Sequence, residues 1–191
     1  MDLCKFIYTK NYKQMLINIK DIPKNIKPAK ILLWNQLPKT TNYIDGFPTP
    51  NTPLVNNPNK SIVTDKFLYF CNQLVLTCIK DGVGLAAPQI GVPKKVFTIK
   101  ENEEEFKLYF HPEYTPDINS RIEYGYERCL SVPKKQILVP RHNLINASWY
   151  EIEEDGLIVE KEELLSGFKS IVFQHEYAHL LGKSIMDFYK K

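Results

Sequence analysis

The 191-residue sequence lacks the features that mark several large classes of protein. No apolar run reaches the ~18 residues that a transmembrane helix needs, so we expect a soluble protein with no membrane partner. Neither a G-x-G-x-x-G fingerprint nor a P-loop lysine is present, which argues against a nucleotide site. The net charge of +3 is too small to predict DNA or other nucleic acid as the main partner.

Cysteine is also scarce, and no secretory signal peptide is evident at the N-terminus. The spacing of the four cysteines does not match a small disulfide scaffold, so we expect reduced thiols inside a cell. The expected location is the cytoplasm of a bacterium or of a phage-infected host, or an organelle if the source is eukaryotic. The four are Cys4, Cys71, Cys78 and Cys129.

The chain length suits one catalytic domain with an appended segment. We assign residues 60–191 to the domain, and residues 1–59 to an N-terminal extension and irregular connector whose packing on the domain is left open. The first 30 residues carry seven lysines against Asp2 and Asp21. A solvated surface segment is the favoured interpretation of this basic leader, and contact with an anionic surface such as ribosomal RNA is the alternative.

The sequence H-E-x-x-H at residues 175–179 is the strongest chemical signal. Residues four apart share one face of a helix, so His175 and His179 can bind one metal ion and Glu176 can handle a proton. Ser166 suits the start of such a helix, and Gly182 suits its end. The competing interpretation is a histidine pair on a solvated face.

A third metal ligand has to come from elsewhere in the chain. The extended zinc-protease pattern would need a histidine at position 185, which is Ile185, and the sole acidic residue after Glu176 is Asp187. Upstream candidates are Cys129, His111, His142 or a carboxylate. Cys129 leads because a thiolate is a strong ligand for such metals.

Hydrophobic periodicity predicts an α+β fold, with antiparallel strands packed around a central C-terminal helix that carries H-E-x-x-H. A helix is predicted over 61–80, with Cys71 and Cys78 in its buried stripe. Residues 82–91 are predicted to form a tight loop that presents Gln89. Strands are predicted over 96–99 and 106–110, with His111 at the end of the second, and over 144–152 and 157–163 as a hairpin with its turn at 154–156. Residues 37–59 are predicted to be an irregular connector.

Three segments taken together resemble the motifs of the peptide deformylase family. They are G-V-G-L-A-A-P-Q (82–89), E-R-C-L-S (127–131) and Q-H-E-Y-A-H (174–179), and the resemblance extends over about residues 60–188. It implies a peptide-deformylase-like fold and a hydrolase that removes the formyl group from the N-terminal formyl-methionine of nascent polypeptides. It also implies one divalent metal ion, Fe²⁺ first, with Zn²⁺, Ni²⁺ or Co²⁺ as substitutes.

The resemblance also implies roles for individual residues. Cys129, His175 and His179 would be the metal ligands, and Glu176 the general base and then the general acid. Gln89 and the backbone N–H of Leu130 would form the oxyanion hole. The methionine pocket is expected to be lined by Val83, Gly84, Phe168, Ile171 and Val172, with simple core packing as the alternative.

Two positions depart from the family pattern. Ala178 replaces an aspartate that pairs with an arginine, here Arg141, so we expect Glu127 or water at the Ala178 methyl to take over that role. Arg128 replaces a glycine. It is either strained at a positive φ, or it lies over the substrate cleft and attracts an acidic or C-terminal group of the peptide.

Two other functions remain open at this stage. One is a same-fold amidase that acts on another N-acyl substrate. The other is a catalytically weak deformylase-like protein kept for binding. Transient ribosome contact is expected of the deformylase.

Overall fold

The computed structural model describes residues 16–38, 65–152 and 158–189. The first half of the basic leader (residues 1–15), most of the 37–59 connector and the turn predicted at 154–156 lie outside these residues. No helix in the described ranges has the length and apolar character needed to cross a membrane.

The described residues form eight strands, two α-helices and four short 3-10 helices. The strands are β1 (Leu16–Asn18), β2 (Gly84–Ala86), β3 (Val96–Lys100), β4 (Glu105–Pro116), β5 (Ile122–Cys129), β6 (Val132–His142), β7 (Leu144–Ile152) and β8 (Ile158–Ser166). The α-helices are α1 (Asp65–Cys78) and α2 (Gly167–Leu180). The 3-10 helices are Ile19–Asp21, Trp34–Gln36, Ala87–Ile90 and Ile185–Phe188.

Six strands form one antiparallel sheet in the order β2-β3-β4-β7-β8, with β1 paired to β4. The predicted hairpin is confirmed as β7 and β8, which pair from Leu144↔Ser166 to Ile152↔Ile158. Ile17 of β1 lies opposite Phe106 of β4. Residues 16–18, from the predicted extension, therefore lie in the same sheet as the strands of the predicted domain.

The two faces of this sheet bury two separate hydrophobic clusters. Alternation along β4 sends Leu108 toward the cluster that contains Leu74 of α1, and Tyr109 toward the cluster that contains Phe173 of α2. Cys71 and Cys78 are buried in the α1 cluster, as predicted. Burial raises the pKa of both thiols, so they stay protonated at neutral pH.

Two sequence-based predictions of strand limits are wrong. β4 does not end before His111 but continues to Pro116 through an irregularity between Phe110 and Glu113. His111 has φ +46 there, so the strand passes the position by distorting rather than by ending. The segment 82–91 is not all loop, because Gly84–Ala86 pairs with β3 before the 3-10 helix Ala87–Ile90.

β5 and β6 form a separate two-stranded sheet, which we call the ribbon (residues 122–142). Its buried end packs Cys129, Val132, Ile137 and Val139 against Ile185 of the last 3-10 helix. The ribbon was not among the predicted elements. It brings the E-R-C-L-S segment to α2.

Candidate metal centre

Helix α2 carries the H-E-x-x-H residues in its last two turns. It begins at Gly167 (φ +55), directly after Ser166, and the chain leaves it through Gly182 (φ +71). Ser166 lies at the N-cap position, but its side chain makes no capping hydrogen bond. The rings of His175 and His179 lie with their centroids 5.0 Å apart, as the i, i+4 spacing requires.

Cys129 meets both histidines at the end of β5. One donor atom from each of Cys129, His175 and His179 lies within 4.8 Å of the other two. The Cys129 Sγ and His179 Nε2 atoms are 3.3 Å apart. Sulfur with two imidazole nitrogens is a donor set that suits Fe²⁺, Zn²⁺, Ni²⁺ or Co²⁺, so these residues fit one such ion.

Each histidine is oriented by a hydrogen bond at its other ring nitrogen. Nδ1 of His175 lies 2.8 Å from Oε2 of Glu127, and Nδ1 of His179 lies 2.9 Å from the carbonyl oxygen of Lys183. Both Nδ1 atoms therefore donate. Such partners fix the ring direction and the tautomer of a metal-binding histidine.

Glu127 is also the partner of Arg141. The two side chains form a fork, with Nε–Oε1 and Nη2–Oε2 distances of 2.9 Å each. Arg141 is 7% exposed and has not swung into solvent. Two partners were expected to replace the aspartate missing at Ala178, namely Glu127 or water, and this arrangement is the one with Glu127. Burial works to raise the pKa of Glu127, but the bonds from Arg141 and His175 lower it to about 2.

The electrostatics of the histidines favour a positive charge at this point. Burial and the charge on His175 lower the pKa of His179 to about 3, so His179 is neutral. Burial also works to lower the pKa of His175, but the bonds to Cys129 and Glu127 raise it to about 10. A positive charge is thus stabilised at His175, and a divalent ion would supply that charge.

Glu176 points its carboxylate at the cleft and lacks a full set of partners. Its side chain is 3% exposed, and Oε2 has no hydrogen-bond partner in the described part of the chain. Gly84 makes room for it, since a Cβ on Gly84 would lie 2.6 Å from Oε1. Burial raises the pKa of Glu176 to about 7, although His175 and Arg141 work against that rise. The group can gain or lose a proton near neutral pH.

Gln89 is held beside the sulfur by both ends of its amide. It is 2% exposed; Oε1 accepts a hydrogen bond from the Ala86 N–H (2.8 Å), and Nε2 donates to Ser131 Oγ (3.2 Å). Nε2 also lies 3.8 Å from Cys129 Sγ. Leu130 follows Cys129 directly, at the turn between the ribbon strands.

A cleft of about 950 Å³ opens beside these residues. All five residues of the predicted methionine pocket line it: Val83, Gly84, Phe168, Ile171 and Val172. Phe168 is 68% exposed, so core packing does not explain why this position is apolar. Val172, in contrast, also packs into the hydrophobic cluster that contains Phe173 of α2.

Arg128 lines the same cleft. Among the described residues other than glycine, positive φ angles occur at His111 and Lys134. Arg128 is therefore not in the left-handed region. The strain alternative is wrong for this residue, and the cleft alternative stays a prediction.

Sequence reasoning did not identify several groups that support the site. Ser131 Oγ holds the Gln89 amide, and the Lys183 carbonyl holds His179. The Gln174 amide bonds to both the N–H and the carbonyl of His142, at distances of 2.9 and 2.7 Å. Ser131 and Gln174 could have been identified from the sequence, because both lie within the three motif segments. A backbone carbonyl could not, because every residue has one.

The sequence is similar to those of known proteins over most of its length. Residues 49–191 match the family model for polypeptide deformylase. A peptide deformylase from Leptospira biflexa is 38% identical over 117 residues, which cover 56% of this chain and 63% of the relative. One from Halalkalibacterium halodurans is 42% identical over 118 residues, covering 57% and 61%. The chain thus spans less than two thirds of the length of these relatives.

The fold matches those of solved deformylase structures. The crystal structure of a peptide deformylase from Synechococcus elongatus in complex with actinonin superposes with a TM-score of 0.67 at 20% identity, covering 89% of this chain and 86% of that one. The fold is therefore the peptide deformylase fold, with antiparallel strands and two helices. Because the family model extends over most of the sequence, this chain belongs to the peptide deformylase family.

Proposed function

We propose that this protein is a metal-dependent peptide deformylase, which removes the formyl group from the N-terminal formyl-methionine of nascent polypeptides. One observation carries the proposal: three side chains that could bind a metal ion converge beside a buried carboxylate that faces a cleft. The membership of the chain in the peptide deformylase family supports the same reaction.

Cys129, His175 and His179 would hold the ion, with Fe²⁺ as the first choice and Zn²⁺, Ni²⁺ or Co²⁺ as alternatives. A divalent ion supplies Lewis acidity, which lowers the pKa of water toward ~7 and polarises a carbonyl. Helix α2 would then be the central support of the site, because it carries two of the three ligands.

Glu176 would move the proton. The Oε2 atom accepts a proton from the attacking water and then delivers it to the nitrogen of the departing amine. Formate and a free N-terminal methionine result. The glycine at position 84 supports the assignment, because a side chain there would collide with this carboxylate.

Gln89 Nε2 and the Leu130 N–H would donate hydrogen bonds to the formyl oxygen as negative charge builds on it. One such donor is typically worth about 3–4 kcal/mol in the transition state. The bonds from Gln89 to Ala86 and Ser131 support this role, since a preoriented donor needs no reorganisation during the reaction.

The methionine side chain would lie against Val83, Gly84, Phe168, Ile171 and Val172. Apolar lining with a few convergent polar groups is typical of such pockets. The division of the chain into residues 1–59 and 60–191, the location inside the cell and the ribosome contact stay predictions.

The test is an assay of formyl-Met-Ala-Ser with protein loaded with Fe²⁺ without oxygen, or with Ni²⁺. We expect turnover, and we expect Glu176→Ala and Glu176→Gln to lower kcat by about 10²–10⁴-fold at equal metal content. The metal content of each sample is measured, so that lost activity is not confused with lost metal.

Three outcomes would change the conclusion. No turnover by fully loaded protein would indicate the weak, binding-only member of the family. Equal turnover of acetyl-Met-Ala-Ser would indicate an amidase of broader substrate range. Full activity in Glu176→Ala would remove Glu176 from the mechanism.

A further inference from the structure

The ribbon contains an irregularity next to Cys129. Glu127 pairs with Ile137, and Cys129 pairs with Val132. Between these two pairs β5 has one residue, Arg128, while β6 has the four residues 133–136. The extra residues of β6 therefore gather opposite Arg128, one position from the sulfur.

Two cations at this point have no partner among the described residues. Arg128 and Lys134 both line the cleft and are exposed, and neither forms an ion pair or hydrogen bond within the part of the chain that the structure describes. Lys135 differs, because its Nζ lies 4.7 Å from the centre of the Tyr189 ring. With respect to the described residues, Arg128 and Lys134 are thus available to bind an anion in the cleft.

The carboxylates of the cleft do not cancel this charge. Glu127 is already bound by Arg141 and His175, and Glu176 is buried at the floor. Asp81 is the remaining carboxylate that lines the cleft. The outer wall formed by the ribbon is therefore positive.

The backbone at Lys134 is strained in a way that glycine would relieve. Its φ is +66, in the left-handed region that side chains with a Cβ rarely adopt. Strain of this kind persists where surrounding structure enforces it, and it clusters at binding sites. A lysine at this position presents a charge to the cleft that glycine could not.

We propose that Arg128 and Lys134 form a carboxylate subsite for the part of the formyl peptide that follows methionine. Its ligand is an acidic side chain at the second or third residue, or the terminal carboxylate of a short peptide. An extended peptide advances about 3.3 Å per residue, so these groups come within reach of a wall that begins one residue from Cys129. The Arg128 guanidinium can bind a carboxylate with two parallel hydrogen bonds. This inference rests on the proposed function.

Matched substrates test the subsite. Formyl-Met-Glu-Ser-amide is compared with formyl-Met-Gln-Ser-amide. A second pair has the Glu or Gln at the third residue instead of the second. In a third pair, formyl-Met-Ala-Ser is compared with its amide. We expect kcat/KM to be about three- to tenfold higher for at least one carboxylate substrate, mainly through KM, because each exposed ion pair is worth up to about fivefold. The preference should fall sharply in 0.5 M salt, where charges are screened.

Variants connect the preference to the two residues. In the double variant Arg128→Gln with Lys134→Gly, the ratio of carboxylate to neutral substrate should fall to about one. Lys134→Gly relieves the backbone strain, so this change should not oppose folding. Lys24→Gln is the control: it removes one charge from an exposed position outside the cleft lining and should keep the ratio. Arg128→Glu should reverse the preference toward a lysine-containing substrate.

The outcomes distinguish a failure of the subsite proposal from a failure of the proposed function. A ratio of one in the unsubstituted protein at low salt, or a ratio that survives the double variant, overturns the subsite. The substrate pair that shows the preference identifies the source of the carboxylate, which is either a side chain or the C-terminus of the peptide. No turnover of any formyl peptide rejects the proposed function instead. Equal binding of Met-Glu-Ser-amide and Met-Gln-Ser-amide would then also overturn the subsite.

Discussion

Glu127 has two tasks that separate residues could have shared. One carboxylate neutralises the buried Arg141 and orients His175 through its Nδ1 atom. The aspartate that would otherwise pair with the arginine is absent, because position 178 is a buried alanine. An unpaired buried guanidinium is costly, so we propose that the pair with Glu127 makes Ala178 tolerable.

Glu127→Gln should therefore cost more than its small change in shape suggests. Arg141 would remain buried without a negative partner, which typically costs about 3–5 kcal/mol in the free energy of unfolding. The weaker bond to His175 should also lower metal affinity by about 10–100-fold. Urea unfolding and competition with a coloured chelator measure these two effects separately.

Glu123→Gln is a matched control on the same strand. Its partner Arg121 lies 3.5 Å away, and the two side chains are 51% and 80% exposed. A pair of this kind is worth at most about 1 kcal/mol. If both variants lose the same small amount of stability, Arg141 is compensated by something other than Glu127, and water at Ala178 becomes the better explanation.

At the scale of elements, the sequence best predicts those helices and strands whose hydrophobic periodicity is visible within the element itself. Helix α1 and the β7–β8 hairpin follow their hydrophobic patterns, and the four-residue spacing of His175 and His179 determines that they share a face. The ribbon was not predicted, although Ile122, Tyr124 and Tyr126 occupy alternate positions in the sequence. Large side chains at alternate positions are typical of a strand and could have been used to predict one. These three side chains point outward and are exposed, so the alternation does not mark a buried face.

The rest of the site depends on contacts that no local pattern encodes. Cys129 reaches α2 because β5 and β6 pair with each other and pack on Ile185. The same limit applies to His111, where the chain continues through an irregularity that flips the alternation. The Lys183 carbonyl shows the limit most clearly, since every residue has one.

The predicted extension also contributes to the site. Residues 27–36, which we call the strap, connect α1 to the segments that contain Gln89 and Ser131. Near α1, the Ala29 N–H donates to Thr77 Oγ1 at 2.8 Å. Further along, the Leu32 N–H donates to the Gln89 carbonyl (2.8 Å) and the Trp34 N–H to the Ser131 carbonyl (3.0 Å). The strap thus joins the two residues whose side chains already bond to each other.

Trp34→Pro tests whether the strap positions Gln89. Trp34 opens a 3-10 helix, where the fixed φ of proline is tolerated, and Leu33 already has the extended ψ of 153° that precedes proline well. The substitution removes the N–H that holds Ser131. We expect kcat to fall by about tenfold with little change in KM, because a small displacement of an oxyanion donor is enough.

Trp34→Ala is the comparison variant, because it loses the same side chain and keeps the N–H. Only the difference between proline and alanine reports on the bond to Ser131. Equal kcat values for the two variants would show that the strap covers the site without positioning it.

At the scale of the whole molecule, the candidate metal centre lies where the ribbon meets helix α2. The ribbon is attached to α2 at one end through Gln174 and His142, and at the other end Cys129 lies against His179. A metal ion bound by Cys129 and both histidines would make this second attachment a set of coordination bonds. Metal binding should then stabilise the assembly of the ribbon on the rest of the fold, and not only supply reactivity.

Removing the metal with a chelator should therefore lower Tm. A ligand at one hundred times its Kd stabilises the folded state by about 2.7 kcal/mol, which corresponds to a shift of roughly 5–10 °C for a chain of this size. Adding Ni²⁺ should restore Tm, and hydrogen exchange should slow most in the ribbon. Glu176→Ala should show the same shift because it keeps all three proposed ligands, whereas His175→Ala should show almost none. A full shift in His175→Ala would mean that the ion binds elsewhere and that the ribbon is held against α2 without it.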